Sequence, residues 1–208
     1  MGRRALGYKV GGGIFAAAAV LGQAGVAGAD NVGSTPPGGD PQNAVSFGGG
    51  SSWAVHSYSF HNVTSALQIA TTDAMNNVYS STDLVVQRNA DNSSADVQVY
   101  DDFYGFNGAV AWVNCPPTAT SSGVDPFRRC FNQTLKYNMT YATSYGTTNQ
   151  RKFVACHEIG HTVGLRHATS TNHPSRGDTC LQTPMPNPIN ASDLVIHGHD
   201  VDHINAFH

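Results

Sequence analysis

Residues 157–167 read His157-Glu158-Ile159-Gly160-His161-Thr162-Val163-Gly164-Leu165-Arg166-His167, a pattern H-E-x-x-H-x-x-G-x-x-H. Side chains four apart on a helix share a face, so His157 and His161 can aim nitrogens at one ion. Glu158 is turned about 100° from His157 around the helix axis. From there it reaches a water on the ion without ligating the ion itself. On a continued helix His167 would lie roughly 240° from His161, so the chain must stop and turn back. Gly164 supplies that turn, because glycine accepts a left-handed backbone at a helix end at little cost. Three imidazoles and one water make the open tetrahedral site that catalytic zinc uses. The expected chemistry is hydrolysis, with the water's pKa drawn toward about 7 and Glu158 passing its proton to a leaving amine.

The acidic residues sharpen this reading. The chain has 14 of them, and Glu158 is the sole glutamate. A good helix former avoided elsewhere therefore stands at the position where a metal-water base is needed.

A helix starting near Thr148 or Asn149 must carry Phe153, Val154, Cys156 and His157. Upstream, residues 54–60 alternate like a strand. A helix capped by Asn62 or Thr64 is expected to run to about Tyr79, with Leu67, Ala70, Ala74 and Val78 on one face. Strands are predicted over 84–87, 95–100, 108–114 and 135–141. A cap signal at Asn190 precedes a short C-terminal helix around 201–207. The order is strand, helix, several strands, helix, irregular loop, helix, an α+β pattern.

The zinc motif resembles that of the metzincin metallopeptidases, and the wider pattern is most similar to their matrixin-like branch. The likeness is specific over 150–167 and extends over about 83–208. Residues 95–99 resemble the family's central strand and residues 108–116 its edge strand. The resemblance implies a mixed twisted sheet with an active-site helix and a C-terminal helix, and zinc in a cleft between upper and lower subdomains. It implies zinc on His157, His161 and His167, Glu158 as the base, and an extended peptide or protein substrate paired to the edge strand.

Some features depart from the family. The methionine expected beneath the metal is either Met185, between two prolines, or is replaced by Leu181 after Cys180; the prolines favour Met185. Ala168 follows the third histidine, which matches none of the main subfamilies. No tyrosine follows Tyr145 and no cysteine precedes Cys115. Neither a downstream tyrosine donor nor a cysteine-switch propeptide is therefore expected.

The remaining sequence sets the context. Residues 1–29 read as a signal peptide, with Arg3, Arg4 and Lys9 ahead of a short apolar run and Ala27-Gly28-Ala29 as the cleavage motif. Residues 30–52, rich in Gly, Pro and Ser, are expected to be a tether or short pro-segment, leaving 53–208 as the catalytic domain. A secreted, extracellular, monomeric protein is expected. The formal charge of −3 offers no footprint for nucleic acid, and no second apolar run suggests a membrane partner. Four cysteines in an exported chain predict two disulfides, Cys115–Cys130 and Cys156–Cys180, on closeness in sequence.

His197, His199, Asp200 and His203 form a second cluster, read as a solvated helix end before a second metal site. Asp101-Asp102 is read as a polar turn before a Ca2+ site. Five N-x-S/T triplets, at Asn62, Asn92, Asn132, Asn138 and Asn190, are read as surface polarity. Two rival functions remain at this point. One is a zinc amidase acting on a cell-wall amide, separable by parallel zymograms of casein and cell wall. The other is a non-catalytic zinc-binding domain, which would have no use for Glu158.

Overall fold

The computed structural model describes residues 44–46, 55–114, 128–130, 132–168 and 179–207. The expected signal peptide and most of the tether lie outside these residues, as does Cys115 with its expected bond to Cys130. One stretch of the tether is ordered backbone. Strand β1 (Ala44–Ser46) pairs in parallel with β6 (Arg128–Cys130).

The molecule is built on a five-stranded mixed sheet. Strands β2 (Val55–His61), β3 (Val85–Arg88), β4 (Val97–Asp102), β5 (Ala111–Asn114) and β7 (Gln133–Asn138) are ordered β3-β2-β4-β7-β5. The first three pairings are parallel, and β5 runs antiparallel to β7, with Val113 opposite Leu135. Alternation explains the buried face: Val97, Val99, Leu135 and Tyr137 are each fully buried, while Gln98 and Lys136 are only partly covered. The strand resembling a central strand is central, and the one resembling an edge strand is an edge.

Two helices cover the buried face. Helix α1 (Ser65–Asp73) continues as a π-helical turn over Ala74–Val78 and a 3-10 turn over Tyr79–Ser81. The expected single helix therefore persists to the predicted end but changes winding on the way. Leu67, Ala70 and Ala74 are buried as expected, while Val78 is only partly so. Thr64 takes the N-cap position without a side-chain bond. Helix α2 (Thr148–Thr162) opens on a capping box, in which Thr147 and Gln150 each accept from the other's backbone N–H. It is buried on nearly every side from Phe153 to Thr162, so it lies inside the molecule and not on its surface.

A 3-10 turn over Ala191–Leu194, capped by Asn190, precedes helix α3 (Gly198–Phe207). The C-terminal helix thus begins earlier than the sequence suggests. No helix among the described residues is long and apolar enough to cross a membrane.

Candidate metal centre

Helix α2 delivers the first two histidines and Glu158 from one turn. The helix then stops at the predicted place. Gly164 adopts φ +90°, and the Leu165 N–H folds back to the Gly160 carbonyl at 2.9 Å. That reversal carries His167 to the other two. The three ring centroids are 4.7, 4.9 and 4.9 Å apart, a nearly equilateral triangle. One ligand atom from each ring lies within 4.8 Å of the others.

The tautomers follow from the hydrogen bonds. Nδ1 of His157 lies 2.7 Å from the carbonyl of Cys180, and Nδ1 of His161 lies 2.8 Å from that of Leu165. A carbonyl only accepts, so both Nδ1 atoms carry the proton and both Nε2 atoms keep a lone pair for a cation. Burial, with repulsion from His167, lowers the pKa of His157 to about 4. Burial first, and then His157 and His167, holds His161 well below its ordinary value. Neutral imidazoles with fixed tautomers suit a borderline-soft divalent metal. The donor set fits such an ion.

Glu158 is 5 % exposed and lines the same cleft as His157 and His167. This cleft encloses ≈ 300 Å³. Gly108, Ala109, Val110 and Ala111 form one wall, helix α2 the floor, and Gln182, Thr183 and Met185 the opposite wall. The structure therefore brings together every residue of the expected site.

Several supporting groups escape a reading of the sequence. Asn138 is fully buried and organises the loop between β4 and β5. Its Nδ2 donates to Gly105 O, Asn107 Oδ1 and Ala109 O, while its Oδ1 accepts from the N–H groups of Tyr104 and Thr140. Its place in an N-x-T triplet is therefore not surface polarity, which corrects that expectation. Tyr145 donates its hydroxyl proton to Val110 O, fixing the lead-in to the edge strand at the cleft wall. At the far end of α2, Gln133 donates to Thr162 O at 2.9 Å and His56 contacts Thr162 Oγ1 at 2.9 Å. The helix end is thus bolted to the sheet.

The two candidates for the residue beneath the metal are now placed. Leu181 is fully buried against the helix at Gly160, whereas Met185 is partly buried in the cleft wall. Leu181 therefore packs on helix α2, while Met185, the preferred candidate, lines the cleft. The prolyl bonds at Thr183-Pro184 and Asn187-Pro188 are cis. The expected bond between Cys156 and Cys180 is present.

The secondary clusters are structural. Asp101 and Asp102 end strand β4 instead of forming the polar turn expected there; Asp101 accepts from Thr64 N–H and Asp102 from Phe103 N–H. The rings of His199 and His203 lie 4.1 Å apart, tilted by 51°; Asp200 and His203 are buried, so the cluster is not the solvated helix end expected, and Asp200 accepts from Thr179 Oγ1 and His197 N–H. Among the described residues, only His157, His161 and His167 form a ligand set of three or more. No protein-family model matches the chain, and no curated protein matches it.

Proposed function

We propose that the chain is an exported, zinc-dependent endopeptidase of the metzincin kind. The observation that carries this reading is the convergence of three imidazoles, with Glu158 lining the same open cleft. Zinc held by His157, His161 and His167 would acidify a water in its fourth position and polarise a carbonyl.

The protein's own groups supply the rest. Glu158, nearly sealed from solvent, takes a proton at its carboxylate and returns it to the departing amine nitrogen. The low dielectric around it strengthens that exchange. Among the described residues strand β5 has a partner on only one side, so its other edge offers main-chain donors and acceptors to an extended peptide. Tyr145 and Asn138 hold that edge in position before the substrate arrives. The opposite wall, with Thr183 and Met185, receives side chains of the substrate. A formal charge of −6 after loss of residues 1–29, from eight basic and fourteen acidic residues, fits a protein acting on peptides and not on nucleic acid.

Metal analysis with peptide-library cleavage tests the proposal on wild type and Glu158→Ala. The wild type is expected to hold one zinc and cut peptides. The variant is expected to keep the zinc and to lose turnover by at least ~10²–10⁴-fold. Proteolysis surviving in Glu158→Ala would refute the assignment.

A further inference from the structure

The segment 179–182 touches all three arms of the candidate metal site. The carbonyl of Cys180 receives the Nδ1 proton of His157 at 2.7 Å. The carbonyl of Leu181 receives the N–H of Ala168, next to His167, at 2.9 Å. The Leu181 side chain packs on Gly160, next to His161, where an added Cβ would meet its Cδ1 at 2.8 Å. One short turn therefore fixes the first ligand's ring, the third ligand's backbone and the helix beside the second.

This turn is irregular chain, and something must hold it against α2. On its outer side it hangs from the C-terminal region. Thr179 donates to Asp200 at 3.0 Å, Cys180 N–H to Val195 O at 2.7 Å, and Gln182 to Asp193 at 2.7 Å. On its inner side, the covalent attachment is the disulfide between Cys156 and Cys180, with Cα atoms 5.8 Å apart. Both cysteines are buried. The bond joins the residue before the first ligand to the residue whose carbonyl orients that ligand. A staple acting only on chain entropy could join any two distant segments. This one spans the two halves of a ligand's hydrogen bond.

We propose that the Cys156–Cys180 disulfide is a positioning device for the metal: it sets the affinity of the three-histidine site by fixing the carbonyl that orients His157. The inference rests on the zinc reading above. Groups that orient metal-bound histidines are worth about 10–100-fold in metal affinity. Without the disulfide, the 179–182 turn keeps its outer bonds to Asp193, Val195 and Asp200. Its register against α2 then depends on the packing of Leu181 and on the His157 hydrogen bond itself, with no covalent tie to hold them.

The test is zinc affinity at pH 7, measured by competition with a chromophoric chelator, alongside the melting temperature of each metal-free protein. Four proteins are compared: wild type, Cys156→Ala/Cys180→Ala, the better-packed Cys156→Val/Cys180→Ala, and Leu67→Ala. The last lowers stability from α1 without touching the turn. The expected result is a zinc affinity at least about 10-fold weaker in both disulfide-free variants, with wild-type affinity in Leu67→Ala. Unchanged affinity in the disulfide-free variants overturns the proposal. So does an equal loss in Leu67→Ala, and so does failure of both disulfide-free variants to fold, because the bond is then a general staple. A wild type that binds no zinc instead sinks the metal reading itself, and the inference with it.

Discussion

Helix α2 and the 179–185 segment face one another across the same three histidines, yet they are built on opposite principles. Helix α2 is regular and buried, and it presents chemistry through side chains repeating every turn. The 179–185 segment is irregular and presents mainly backbone carbonyls, with Leu181 as its packing foot. The helix is anchored at both ends by its capping box and by Gln133. The turn is anchored from outside by Asp193, Val195 and Asp200, and to the helix by one covalent bond. A site of this design draws its reactive groups from one region and their orientation from the other. The two regions should then fail in different ways.

Acid is the harshest separation of the two, because it acts on the helix's histidines and leaves the turn's carbonyls alone. His157 has its pKa lowered to about 4 in the folded protein, against 6.5 when exposed. Above pH 6.5 neither state binds the proton. Between 6.5 and about 4 the unfolded chain binds it and the folded one does not, so stability falls as the pH falls through that window. Below about 4 both states bind it and the loss is complete. For His157 alone the difference is worth about 3 kcal/mol, and His161 shifts in the same direction. Urea unfolding of metal-free protein between pH 7 and 4 should show this decline. A flat profile would mean that the rings are not held neutral.

Asp200→Ala strikes the turn from its outer side. The carboxylate accepts from Thr179 and from His197 N–H in a fully buried setting. Removing it should cost about 2–3 kcal/mol, since hydrogen bonds to charged groups carry that much and their donors stay buried. Melting should drop by roughly 2–4 °C per kcal/mol. A loss within about 0.5 kcal/mol, the range of a surface site, would show that the turn does not hang from α3.

Gly160→Ala probes the contact between the regions. A Cβ there would sit 2.7 Å from Tyr79 Oη and 2.8 Å from Leu181 Cδ1. Both must shift: Tyr79 at the expense of its bond to Cys156 O at 2.9 Å, and Leu181 away from the helix. Overpacking of this kind costs about 1–3 kcal/mol. Zinc affinity should weaken as Leu181 is displaced, and calorimetry with chelator competition reads both effects. A variant as stable as wild type would show that the two regions are not in tight register.

The contrast also explains what the sequence made legible. The three histidines, Glu158 and the reversal at Gly164 were all read from side-chain type and helical period, which a string of letters carries directly. The alternation of Val97 and Val99 marked a strand in the same way, while its central place was implied by the family resemblance. The orienting groups are carbonyls of Cys180, Leu181 and Leu165, and every residue has a carbonyl. Only the fold says which one faces an imidazole. Met185 drew attention because it is a methionine flanked by prolines, while Leu181 carried no distinguishing mark until its burial against Gly160 was seen. Asn138 looked like surface polarity because an N-x-T triplet is the same string whether its amide faces water or ties down a loop.

Gly164→Ala makes the smallest change and isolates the reversal that both regions share. Gly164 sits at φ +90°, outside the range L side chains adopt comfortably. Alanine there should cost about 1 kcal/mol, and a few degrees of melting temperature with it. Gly146 is the internal control, with φ −64°, ψ −33° and nothing closer than 3.5 Å to an added Cβ. Alanine at 146 should be neutral or stabilise by up to about 1 kcal/mol, since it only restricts the unfolded chain. The strain at 164 is also placed where it matters: its N–H donates to His161 O, and the next residue's carbonyl orients His161. Gly164→Ala should therefore weaken zinc binding more than its small cost in stability suggests, while Gly146→Ala leaves zinc binding unchanged. Equal behaviour of the two variants would mean that the helix can end without a left-handed residue, and that His167 reaches the other histidines by some other path.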